Sequence, residues 1–168
     1  MKKNLLLALT FTLLLLGTNL FADTVKLPTD APLVSITVPG SWKPEATDQG
    51  FACESEDKAA TVIFEVSSAK KINDLIDENV DWLVKEQKVV INKSTEKKSD
   101  LEAAGIKWSL ITWDGKDDEY GPATIMLGFG DIGGGKILMI TYWVTKTGEK
   151  THAAELTKIF DSVVKVGK

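Results

Sequence analysis

The side chains with the greatest chemical capacity in this sequence are few and scattered. Gly128, Gly130 and Gly133 have the spacing of a dinucleotide fingerprint, and the run from Gly130 to Lys136 satisfies most of a phosphate-loop pattern. Both motifs need their glycines between a strand and the first turn of a helix, where backbone amides and the helix dipole meet the phosphates. Here the glycines lead into the apolar run Ile137-Leu138-Met139-Ile140, and Ile137 stands where the metal-binding hydroxyl belongs. The glycines therefore predict a hairpin turn, and neither nucleotide motif stands.

His152 is the only histidine and Cys53 the only cysteine. A zinc site within one chain needs a cluster of such ligands, and there is none. A Ser-His-Asp triad would have to use His152, yet no nucleophile elbow occurs in the chain. His152 reads as a packed or solvated residue at the start of a helix. Cys53 reads as a small buried hydrophobe, with no internal disulfide available to it. Asn92-Lys93-Ser94 is a glycosylation triplet, which carries meaning only in a source that glycosylates.

Asp114, Asp117, Asp118 and Glu119 form the densest carboxylate group. A calcium loop would space its oxygens regularly, and that spacing is absent. Residues 114–121 read as an acidic loop between two core strands, with Trp113 at its base and Tyr120 near its end. Loops on a rigid scaffold are favoured places for recognition, and a tyrosine beside charges can anchor a contact. The expected contact set is Trp113, Asp117, Asp118, Glu119 and Tyr120, docking a basic protein surface. No catalytic, cofactor-binding or metal-binding residue is assigned.

These residues need a scaffold, and hydrophobic periodicity supplies one. Residues 137–144 are apolar on both alternating faces, as in a strand covered on two sides. A glycine turn at 133–135 joins them to a partner strand at 123–129. A helix follows with Leu156, Ile159, Phe160 and Val163 on one face. The second cover is a helix at 72–87, with Ile72, Leu75, Ile76, Val80, Leu83 and Val84 as its apolar stripe. Residues 23–32 read as a polar leader, 33–38 as a strand exposed on one side, and Trp42 as folding back on the core. The segment 43–50 reads as loop, and 51–54 with 59–66 as a hairpin. Residues 88–92 make a short strand, 93–102 a solvated loop or strand end, and 106–113 a further strand. Most of the five tryptophans lie in or beside strands, so core packing is their default role.

Composition limits the function classes. Lys2, Lys3, an apolar run from Leu5 to Leu16 and small or polar residues after it form a secretory signal, expected to be cut after Ala22. Leu20 is not the small residue preferred three places before the cut. Residues 1–22 are thus expected to be a signal peptide, leaving one domain over 23–168 in the periplasm or outside the cell. The run is short for a bilayer span. All 20 basic residues are lysines against 24 acidic ones, a net charge of −4 that loss of the leader lysines makes more negative. Nucleic acid and anionic membrane surfaces are disfavoured partners.

Ser35-Ile36-Thr37-Val38-Pro39-Gly40-Ser41-Trp42 resembles the strand–Pro–x–x–Trp opening of the PsbP-like and DcrB-like fold family. The later order is also similar: a long helix, a strand meander with a Gly-rich hairpin, then a last helix ending Ile159-Phe160-Asp161-Ser162-Val163. The resemblance spans residues 33–165. It implies an α+β fold, an antiparallel sheet of about six strands sandwiched between helices. It also implies a non-enzymatic accessory or binding protein without cofactor. Such proteins include an extrinsic photosynthetic subunit, a nuclear-import cofactor, envelope proteins and chaperones of secreted toxins. Two readings follow: binding of another protein, such as an envelope component or a toxin to be neutralised, or binding of a small molecule or cation. A ligand binder should show an apolar pocket with converging polar groups, and a protein binder a flat aromatic patch.

Overall fold

A strand apolar on both faces needs a covering layer on each side. The computed structural model, which describes residues 22–166, provides both. In chain order the strands are β1 (Asp23–Leu27), β2 (Val34–Val38), β3 (Glu45–Ala46), β4 (Gly50–Glu54), β5 (Ala60–Ser68), β6 (Val90–Ala103), β7 (Ile106–Asp117), β8 (Gly121–Gly133), β9 (Lys136–Thr145) and β10 (Val164–Lys165). The helices are α1 (Ile72–Asp81), which widens into a π turn at Trp82–Glu86, then α2 (Lys146–Thr151) and α3 (Ala153–Asp161). Among the described residues seven strands make one sheet in the order β3-β4-β5-β9-β8-β7-β6, every neighbouring pair antiparallel. β1, β2 and β10 make a second, smaller sheet. The expected α+β class holds, with one strand more in the main sheet and a small sheet added to one cover.

β9 lies at the centre and is buried without a break from Leu138 to Thr145. Its even-numbered side chains, with Val62 and Phe64 of β5, meet Val34, Ile36 and Val38 of β2 and Leu156 and Ile159 of α3. Trp42 folds into this layer and is 1% exposed. On the opposite face Leu75 of α1 meets Leu127 and Met139, and Leu83 meets Ile125 and Trp143. Each such side chain contributes about 1.5–3 kcal/mol before conformational entropy is set against it. Val84, at the edge of the helix stripe inside the π turn, is 44% exposed and outside the core.

The glycine run is the hairpin turn its sequence predicts. Gly133, Gly134 and Gly135 have φ of +90°, +62° and +70°, a region that side chains with a Cβ rarely enter. Gly130 serves a different purpose inside β8. A Cβ there would stand 2.7 Å from Ile106 Cγ2 and 2.8 Å from Trp108 Cζ3, so the residue's lack of a side chain is what seats Trp108. The spacing that mimics a nucleotide fingerprint is a packing and turn pattern.

Several segments differ from expectation, among them α2, β10 and Val163, which lies just beyond the end of α3. Residues 23–27 are strand β1, paired to β2 through backbone hydrogen bonds that a polar sequence does not advertise. Glu45 and Ala46, expected in a loop, pair with β4 as β3. Residues 93–102 belong to β6, an edge strand interrupted by a bulge between Asn92 and Lys97. β7 runs to Asp117 instead of ending at Trp113, because Asp114, Gly115, Lys116 and Asp117 pair with Thr124, Ala123, Pro122 and Gly121. The signal peptide expected over residues 1–22 falls almost wholly outside the described residues.

Candidate functional site

The two side chains best suited to covalent or acid–base chemistry are both committed to structure. Cys53 is buried, its Sγ donating to the Val62 carbonyl at 3.4 Å, and burial pushes the thiol up to about 12. Such a thiol supplies almost no thiolate. His152, at the start of α3, has Nδ1 2.8 Å from Glu155 Oε2 and Nε2 3.0 Å from Asp57 Oδ1. Burial lowers its pKa, but hydrogen bonds to Glu155 and Asp57 outweigh this and hold it above the ordinary value. Asp57 is held at about 2, chiefly by the Ser55 hydroxyl, then by the Ala59 amide and His152. With both ring nitrogens on carboxylates, no nitrogen is left for a nucleophile. The cluster ties α3 to the β4–β5 turn. Among the described residues no three His, Cys, Asp or Glu side chains gather in a way that could hold a metal ion.

The acidic hairpin between β7 and β8 is divided by the fold. Asp117 is 5% exposed, and its Oδ1 accepts from the amides of Glu119 and Tyr120 at 2.7 and 2.6 Å. That is an Asx turn closing the hairpin, so Asp117 shapes the tip and leaves the expected contact surface. Asp118 lies 3.7 Å from Lys116, and Asp114 3.5 Å from Lys146. Glu119 is exposed. Tyr120 is partly exposed and stands edge-on to Trp143, ring centroids 6.1 Å apart. The structure thus brings Asp118, Glu119 and Tyr120 together at the tip.

Trp113 belongs to a different place. It lines a half-open cleft of about 360 Å³ between α1 and the outer strands of the sheet. The roof is Ile76, Val80 and Leu83, and the floor is Ile111, Trp113, Ile125, Leu127 and Phe129. Among the described residues only Lys93 and Glu96 bring charge to it, both from the β6 bulge. The bulge is ordered by its own hydrogen bonds: Asn92 Oδ1 accepts from the Ser94 amide and hydroxyl at 3.2 and 2.7 Å. Thr95 Oγ1 donates to the Asn92 carbonyl at 2.7 Å and accepts from the Asp114 amide at 2.8 Å. Trp113 Nε1 donates to Glu96 Oε2 at 3.2 Å, fixing the indole at the rim. Bulges beside functional sites commonly re-aim side chains in this way.

Apolar clefts of a few hundred Å³ with a small number of placed polar groups are the usual form of small-molecule sites. A second cleft of about 310 Å³ lies on the other face, between Trp108, Leu110, Met126 and Phe160. Among the described residues its one charged lining group is Asp161, and no hydrogen-bonded polar rim like the bulge borders it. Sequence reasoning missed the first cleft because its floor residues alternate along β7 and β8 as core residues do. The available signal was Asn92-Lys93-Ser94-Thr95, a run of backbone-capping side chains between two strand-like stretches.

No family model matches the chain, and no curated protein matches it. Among solved structures it is similar to cyanobacterial PsbP (CyanoP) from Synechocystis sp. PCC 6803, with a TM-score of 0.56 and 7% identity. That likeness covers 86% of this chain and 92% of the other. A protein of unknown function from Pseudomonas aeruginosa, PA94, described as a putative regulator, gives a TM-score of 0.42 and 12% identity over 88% of this chain and 99% of its own. The chain has a PsbP-like fold. No helix among the described residues is long and apolar enough to cross a membrane.

Proposed function

We propose that this chain is an exported, non-catalytic accessory protein that works by binding, and that its site is the cleft beneath α1. The observation that carries the reading is the combination of an apolar cleft with an ordered polar rim on a fold whose histidine and cysteine are both structurally engaged. The occupant is a small molecule with an apolar body. Residues 1–22 act as a signal peptide for a single domain over 23–168, which places the protein in the periplasm or outside the cell.

The test uses the environment-sensitive dye N-phenyl-1-naphthylamine and the mature chain. Saturable one-to-one emission enhancement is expected, and Val80→Trp, which fills the cleft from its roof, should abolish it while thermal unfolding stays cooperative. Absence of saturable binding, or equal binding by Val80→Trp, overturns the reading.

A second reading rests on the hairpin tip, where Asp118, Glu119 and Tyr120 are exposed together on a rigid β-hairpin. It takes the tip as the docking point for a partner protein with a basic surface, steered by the carboxylates. Salt-sensitive recovery of a partner that is lost in Asp118→Ser/Glu119→Ser/Tyr120→Ala supports it. Recovery unchanged by those substitutions contradicts it.

A further inference from the structure

We infer that the cleft beneath α1 takes a single-chain anionic amphiphile, its chain between α1 and β8 and its headgroup at Lys93. The inference rests on the cleft being the binding site and adds the chemical class of the occupant.

Size sets the chain. A volume of 360 Å³ holds roughly ten methylene-sized groups, taking about 30 Å³ for each as for a water molecule in the liquid. The walls are hydrocarbon and indole, so a polar body would be left unpaired there.

The charge of the headgroup is set by the rim. Glu96 is already engaged on both oxygens: Oε1 lies 3.1 Å from Lys98 Nζ, and Oε2 accepts from Trp113. Lys93 has no acidic side chain within ion-pairing distance among the described residues. Asp114, paired across the ladder with the neighbouring Asn92, lies 3.5 Å from Lys146. Among the described residues Lys93 is therefore the one uncommitted charge lining the cleft, carried by the hydrogen-bonded bulge. A carboxylate or a phosphate monoester complements it, while a cationic head would meet Lys93 with no free carboxylate to offset it. Lys93 is exposed, so it contributes a preference and the apolar cleft supplies most of the affinity.

The experiment measures displacement of N-phenyl-1-naphthylamine from the mature chain by decanoate, decyl phosphate, 1-decanol and decyltrimethylammonium, all below their aggregation concentrations. Decanoate and decyl phosphate should bind about two- to five-fold more tightly than decanol, the range an exposed charge pair supplies, with the cation weakest. Lys93→Glu should invert the order of anion and cation and leave decanol unchanged. Either order between decanoate and decyl phosphate supports the inference and tells a fatty-acid head from a phosphate head. Equal binding of decanol and the anions, unmoved by Lys93→Glu, overturns the inference and leaves the cleft as the site. Failure of every probe to bind overturns both. Val80→Trp should abolish binding of all four amphiphiles measured directly by calorimetry, and retention there also overturns both.

Discussion

Asn79 on α1 donates from Nδ2 to Glu65 Oε2 on β5 at 2.8 Å, and this buried polar contact docks the helix that roofs the cleft. Glu65 is 8% exposed, and its other oxygen accepts from Thr47 at 2.9 Å. Glu65 sits on the face of β5 turned to α1, and it tolerates burial because both oxygens have partners. Asn79→Ala leaves one carboxylate oxygen without its donor and should cost about 1–3 kcal/mol in chemical denaturation. The double variant Glu65→Leu/Asn79→Leu should cost less than Asn79→Ala alone. A double variant that is the less stable of the two contradicts this account of α1 docking.

Between Asp57, His152 and Glu155 the sign of a pH effect can be worked out. The pKa of His152 is raised, so its contribution is complete below the unfolded value of about 6.5 and is lost as pH rises through the folded one. Those of Asp57 and Glu155 are lowered, so theirs is present above the unfolded values of about 4 to 4.5 and is lost on acidification. The stability difference between the parent and His152→Gln should be greatest between the unfolded carboxylate values of about 4 to 4.5 and the unfolded imidazole value of about 6.5, and shrink as the pH rises above that window. A difference that grows with rising pH would remove the clasp from the account.

Thr141 Oγ1 is buried on the α1 side of β9 with no hydrogen-bond partner among the described residues. Replacing the hydroxyl by a methyl group keeps the shape and removes an unpaired polar atom. Thr141→Val should raise stability by about 1–2 kcal/mol, read from the denaturation midpoint at unchanged slope. A fall in the midpoint contradicts the assignment.

Gly130→Ala should destabilise by about 1–3 kcal/mol, because the new Cβ overlaps Ile106 and Trp108 in a filled layer. Lys136→Ala, at the end of the same run, should change stability little, since Lys136 is at the outer end of β9. The reverse pattern would point to the phosphate-loop reading rejected above.

The parts of the fold legible in the sequence were those written in apolar periodicity: the doubly buried β9, the stripe of α1 and the inward turn of Trp42. β6 was not, because almost every side chain along it is exposed and its pairing to β7 is carried by backbone hydrogen bonds. Asp117 looked like surface charge, yet its carboxylate is spent on two amides of its own turn. Trp113 reads from sequence as a contact residue beside the hairpin tip, but its side chain lines the cleft with Glu96. The cleft needed the sheet order to be seen, since Leu83, Trp113 and Leu127 are distant in sequence and each alone reads as core.

The most direct test of the central claim is a methyl NMR titration of the mature chain with N-phenyl-1-naphthylamine. The account predicts saturable ring-current shifts at the methyls of Val80, Leu83, Ile111, Ile125 and Leu127, with Leu110 and Met126 on the opposite face unmoved. Shifts confined to Leu110, Met126 and their neighbours, or no saturable shift at any methyl, would contradict it.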